Sequence, residues 1–409
     1  MTSLTRLKRV LSEVDIRAGM ADSTLPRMSV SIYSGVQRRV EPAGEASTAA
    51  DLSSYKVCRD GDLVINRMRA FQGALGIAPE DGLVSPDYAV LEVASGVDRA
   101  WLSYLMTSQP FVSAMASLVK GIGGIDAGNV RTPRLNIRDL GDLDVAVPSA
   151  SDQQAVVAYL DLETSRIDTL VEEQQRLVDL LHERRDVAWA NVYRSLAGSA
   201  PIVSIRRVIS SIVDGPFGSS LTSAHYVDEG ARVVRLGNIG INEFKSSDAV
   251  YISLEYAQEL EAHAVRVGDV VVAGLGDERM PLGRAAVVPD IGPAIVKADC
   301  YRVRPRQSVS SEYLAWALSA PQSRNQIALL ARGATRARLN TSIMREVAIP
   351  VPDHSVQRRA VEQTALMTGK IDTLIAESER FIELSRERRS ALITAAVTGQ
   401  IDLQDEVSA

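Results

Sequence analysis

The chain has 409 residues, 46% of them hydrophobic and 23% charged, with a formal net charge of −6; this is an ordinary globular balance with room for two or three domains. Net acidity excludes a protein that coats nucleic acid over its whole surface, because counterion release needs clustered Lys and Arg; a reader with local positive charge remains compatible. Cys58 and Cys300 form no metal or redox spacing, which fits a reducing compartment, and Arg6, Lys8 and Arg9 precede no apolar stretch, so the expected location is the cytoplasm.

In chain order, strand-like runs with turn punctuation occur at Asp62-Leu63-Val64-Ile65 and Tyr88 to Val93, followed by a short helix from Trp101 to Ser108. After Pro148 neither proline nor glycine occurs until Gly198, which predicts a long helix with Ser151 or Asp152 as N-cap. The second half offers strands at Asp269 to Ala273 and Tyr301-Arg302-Val303, a short helix from Tyr313 to Ala320, and another long helix beginning near Ser355. The predicted divisions are 1–150 and 199–352 for two globular domains, 151–198 and 353–403 for two helices, and 404–409 for a tail.

The chain contains part of itself twice. Arg134 to Arg185 realigns without a gap on Arg338 to Arg389, with roughly two positions in five identical, including Ile167-Asp168-Thr169-Leu170 against Ile371-Asp372-Thr373-Leu374. The fold class expected is therefore α/β: two pseudo-repeated mixed α/β domains joined by two long antiparallel coiled-coil helices. The seam is read as Ile167, Leu170, Gln174, Leu177, Leu181 and Arg184 in the first helix, and Ile371, Leu374, Ser378, Phe381, Ser385 and Arg388 in the second. A surface helix lying on its own domain is the alternative.

Catalytic motifs are incomplete. Pro86-Asp87 with Glu92 lacks the lysine of a metal-dependent nuclease, and Pro289-Asp290 with Lys297 lacks the second acid. There is no P-loop and no methyltransferase signature, the cluster Gly121, Gly123, Gly124 opens no helix, and His182, His225, His263 and His354 have no metal-ligand spacing. The expectation is a chain that is not itself an enzyme and holds no metal. What stands out instead is basic and polar loop material suited to base edges and phosphates. In the first half this is Arg38, Arg39, Arg67, Arg69, Lys120, Asn129, Arg131 and Arg134; in the second it is Ser219, Ser220, Arg235, Asn238, Lys245, Arg279, Arg284, Lys297, Arg332, Arg336 and Arg338. Repetition of Arg134 and Arg338 suits a framework or phosphate role better than base choice.

These residues resemble the specificity subunits of type I restriction-modification systems. The carrying segments are YKVCRDGDLVINRM, GLVSPDYAVLEV, the DGPFGSSL loop, GDERMPLGRAAVVP and VKADCYRVRP, with the two copies of IDTL followed by ERR and the ending AVTGQIDL. The resemblance implies two target recognition domains, each reading part of a bipartite DNA site, spaced by paired helices. It also implies that the chain directs adenine methylation by methyltransferase partners, two of them expected, and cleavage by restriction-translocase partners; S-adenosylmethionine, ATP and Mg would belong to those partners. The rival class is a non-catalytic coiled-coil adaptor holding two protein partners apart.

Overall fold

The computed structural model describes residues 3–19, 24–32, 34–39, 52–119, 134–277, 280–331 and 338–401. The chain divides into two units, one formed by residues 1–175 with 380–409 and the other by residues 176–379.

In the first unit the main sheet has strands β1 (Leu11–Val14), β2 (Leu63–Asn66), β3 (Leu75–Ile77) and β4 (Tyr88–Val93), in the order β1-β4-β2-β3 and antiparallel throughout. Helices α1 (Arg99–Thr107) and α2 (Gln109–Leu118) follow. Asp98 caps α1 by accepting from the Trp101 N–H at 2.9 Å, and Pro110 sits where α2 has no helical partner for an N–H. Ser3–Arg6 pairs with Asp144–Val147, which leads into α3 (Ala150–Ala197). Strand β2 is buried on both faces, and Leu63, Ile65, Leu91, Trp101 and Leu102 form a core with Leu160 of α3.

The second unit has β5 (Ile209–Val213), β6 (Val270–Ala273), β7 (Ala285–Val287) and β8 (Cys300–Pro305), in the order β5-β8-β6-β7 and again antiparallel. Helices α4 (Ser311–Ser319), α5 (Pro321–Leu330) and α6 (His354–Val397) follow. Ser310 caps α4, Ile202–Ser204 pairs with Ala348–Pro350, and Trp316 stacks among Trp189, Tyr193 and Tyr313 in the core. The elements between matching strands differ. A five-stranded sheet containing Ala231–Val234 and Ala294–Val296 is added here, whereas the first unit carries two small antiparallel strand pairs, Met28–Ser31 with Gly35–Arg38 and Lys56–Cys58 with Gly82–Val84.

Each unit contains part of both long helices, running in opposite directions. In the first, Val156 and Leu160 share a cluster with Ile393, Ala396 and Val397, while Asp168 pairs with Arg389 at 2.9 Å. In the second, Val192 clusters with Ala360, while Arg185 pairs with Asp372 at 3.2 Å. Two expectations are corrected here. Ser149, not Ser151 or Asp152, caps α3, its hydroxyl accepting from the Asp152 N–H at 3.3 Å.

The seam is also shifted in one of its two rows. Ile167 and Leu181 are buried and Ile371 half-buried, as expected, but Leu170, Leu177, Leu374 and Phe381 are 40–48% exposed, and Val178, Ile375 and Ile382 take the buried places. The doublets Leu177-Val178, Leu374-Ile375 and Phe381-Ile382 are apolar at both positions, so hydrophobicity alone does not choose between them. The heptad row continuing from Thr164 and Thr368, both buried, does.

Candidate nucleic-acid interface

The basic residues proposed from sequence fall into three groups. In the first unit Arg39 and Arg69 are exposed. Arg38 is exposed but forks onto Glu80, whose carboxyl is held below its usual range by that hydrogen bond. Arg67 is half-buried and ties the end of β2 to the segment before α3: its Nε donates to the Leu135 carbonyl at 2.9 Å, and the Leu135 N–H returns to the Arg67 carbonyl. Arg134 pairs with Asp87, at the entrance of β4. Lys120, Asn129 and Arg131 lie outside the described residues, as do the glycines at 121, 123 and 124.

In the second unit Ser220 and Lys245 are exposed, and Lys297 donates to the Tyr226 hydroxyl at 2.7 Å, with its ammonium 5.4 Å from the ring centre. Arg235 pairs with Asp248. Arg279, Arg332 and Arg336 and the side chain of Ser219 lie outside the described residues.

Asn238 and Arg284 do not face solvent, contrary to expectation. Asn238 is fully buried; its Oδ1 accepts from the Arg235 N–H, and its Nδ2 donates to the carbonyls of Lys245 and Asp248. The Arg284 guanidinium is buried and donates to the carbonyls of Ile239, Leu275, Met280, Pro281 and Leu236. Burial lowers its pKa from the usual arginine value, with the charge of Asp277 opposing. All three guanidinium nitrogens donate to carbonyls, so its role is to pin loops that sequence alone represents only as polar.

Sequence reasoning missed the surroundings of Arg338. This residue pairs with Asp299 at 2.6 Å and lies 5.3 Å over the ring of Phe217, which is 51% exposed in the loop after β5. Asp299 precedes β8 as Asp87 precedes β4, so both repeated arginines meet an aspartate at the entrance of a corresponding strand. Asp299 holds φ at +66°, an uncommon conformation for a residue with a Cβ. Beside it Asp214 accepts at Oδ1 from the N–H groups of Gly215 and Asp299. Burial pushes the Asp214 carboxyl above its usual range against the lowering effect of these two N–H groups; of the smaller charge effects, Asp299 adds to the rise and Arg338 opposes it. The signal that could have found this site is the Gly-Pro-Phe-Gly sequence at 215–218, an aromatic held between turn residues.

Among the described residues no group of three His, Cys, Asp or Glu side chains could hold a metal ion, and no helix is long and apolar enough to cross a membrane.

No protein-family model matches the sequence. Two curated relatives do: the type I restriction enzyme StySPI specificity subunit of Salmonella potsdam, 21% identical over 203 residues, and the EcoKI specificity subunit of Escherichia coli K12, 21% identical over 209 residues. Each match covers 50% of this chain, and 43% and 45% of the respective relative, so it spans less than half of each relative's length. A chain in a solved structure concerned with assembly and conformational transition of the type I restriction-modification system superposes over 97% of both chains, with a TM-score of 0.55 and 16% identity. The chain resembles the type I specificity subunits. The superposition establishes a shared fold with that chain over nearly its whole length, while the sequence match carries the resemblance to the specificity subunits by name.

Proposed function

We propose that this chain is the DNA-recognition subunit of a type I restriction-modification complex, without catalysis of its own. The observation that carries the reading is the duplicated framework. Strand orders β1-β4-β2-β3 and β5-β8-β6-β7 match, both sheets are followed by short helices and then a long one, and the segments between matching strands differ. Two domains on one framework with different loops suit two different half-sites of a bipartite DNA sequence. The long helices act as an antiparallel coiled-coil spacer, in which Asp168–Arg389 and Asp372–Arg185 are pseudo-two-fold equivalents.

The partners in this reading are two methyltransferase subunits, together with restriction-translocase subunits, and the complex works in the cytoplasm. S-adenosylmethionine, ATP and Mg are held by those partners. Support for a twofold partner comes from the apolar residues left out of the seam. Leu162, Leu170 and Leu180 are exposed and recur identically as Leu366, Leu374 and Leu384, also exposed. Solvent gives no reason to keep leucine at these places twice, whereas a partner that docks once per repeat does.

The test is co-expression with a type I methyltransferase subunit from the same source, followed by genome-wide mapping of methylated adenine. A bipartite motif methylated only when this chain is present supports the reading; methylation independent of the chain contradicts it.

A further inference from the structure

The Arg338–Asp299 pair has an aromatic partner that its counterpart lacks: among the described residues no ring stands over Arg134. Phe217 is half-exposed in a loop built to present it. A Cβ at Gly215 would collide with the backbone of Lys297, and Gly218 holds φ at +63°, so the loop approaches the segment leading into β8 closely and then reverses with the ring outward. Asp299 takes the Nε side of Arg338, and among the described residues no hydrogen-bond partner occupies its two amino nitrogens. A guanidinium fixed by a carboxylate on one side and a ring on one face has lost most of its rotamer freedom before any ligand arrives.

We propose that Phe217 and Arg338 together read a thymine–guanine step in the DNA major groove, Phe217 through the thymine 5-methyl group and Arg338 through the guanine O6 and N7. This rests on the reading of the chain as a DNA-recognition subunit and names what one site in its second unit recognises; the ring of Phe217, not the repeated Asp pairing, is what sets Arg338 apart from the framework or phosphate role that repetition alone suits. The chemistry follows from the exposed groups: a free guanidinium edge matches the two acceptors of guanine, and an apolar ring beside it matches the only apolar group on a base edge. Intercalation of Phe217 is disfavoured by the same geometry, because a ring wedged between base pairs needs both faces and Arg338 covers one.

The experiment uses the assembled complex of this chain with its methyltransferase subunits and a duplex carrying the mapped methylation motif. Each thymine of the half-site read by the second unit is replaced in turn by uracil, which removes only the methyl group, and affinity is measured for wild type, Phe217→Ala and Arg338→Ala. One uracil substitution, next to a guanine, is expected to weaken wild-type binding about fourfold and to leave Phe217→Ala unaffected. Replacing that guanine should weaken wild-type binding at least about fivefold, with the effect lost in Arg338→Ala. A loss of affinity in Phe217→Ala with unchanged sensitivity to uracil overturns the methyl contact, as does a half-site with no thymine–guanine step. A complex that methylates its motif but responds to none of these changes overturns this inference alone; one that recognises no motif overturns the functional reading beneath it.

Discussion

Asp168 and Arg389 form an ion pair at 2.9 Å, and the residues 204 positions away from each, Asp372 and Arg185, form another at 3.2 Å. Each pair lies within one unit, and each joins the two long helices. Cysteines placed at 168 and 389 are therefore expected to be joined within one chain by a short bismaleimide, as are cysteines at 185 and 372. Denaturing electrophoresis distinguishes this from crosslinks between chains, which would show that the helices pair in a dimer.

Gln153 and Gln357 are a second matched couple, both buried. Gln153 accepts from the Asp98 N–H at 2.7 Å and donates to the Pro148 carbonyl; Gln357 accepts from the Ser310 N–H at 3.0 Å and donates to the carbonyls of Ser308 and Pro352. Each ties the cap of a short helix to the start of a long one. Substitution by alanine leaves buried backbone groups unpaired and is expected to cost about 1–3 kcal/mol at either position, measurable by urea unfolding.

Arg284→Met removes donors to five carbonyls and is expected to cost about 3 kcal/mol or more, with Arg284→Lys a poor substitute because an ammonium cannot reproduce the planar fork. Unfolding midpoints check this. A variant of undiminished stability with lost DNA discrimination would instead place Arg284 at the DNA.

Asp214 gives a pH dependence of definite sign. Its native pKa is raised by burial, so between the unfolded value near 3.9 and the raised native value the folded chain binds more protons. Its contribution to stability accordingly falls as pH rises through that window. Asp214→Asn retains an acceptor for the N–H groups of Gly215 and Asp299 and abolishes this slope. Unfolding midpoints of the two proteins should draw together toward acid and separate, with the variant higher, toward neutral pH.

The strands around Leu63, Val90, Val271 and Val303 and both long helices were legible because burial on two faces and uninterrupted helix formers leave a local imprint. The seam was legible in one row only, since Leu177 and Val178 satisfy the same period. At the candidate site the sequence marked arginines without distinguishing their partners: Arg284 meets carbonyls, Arg38 meets Glu80, and Arg338 meets Asp299 and Phe217, all through residues distant in the chain. Such pairings depend on which strands adjoin, and no spacing along the sequence records them.

The most direct measurement is a replacement of residues 201–347 by the corresponding segment of a relative with a different motif, in the presence of both partner subunits, followed by mapping of methylated adenine across a genome. The account predicts that one half of the bipartite motif changes and the other stays as in wild type. A change in both halves, or in neither, would contradict two independent reading domains.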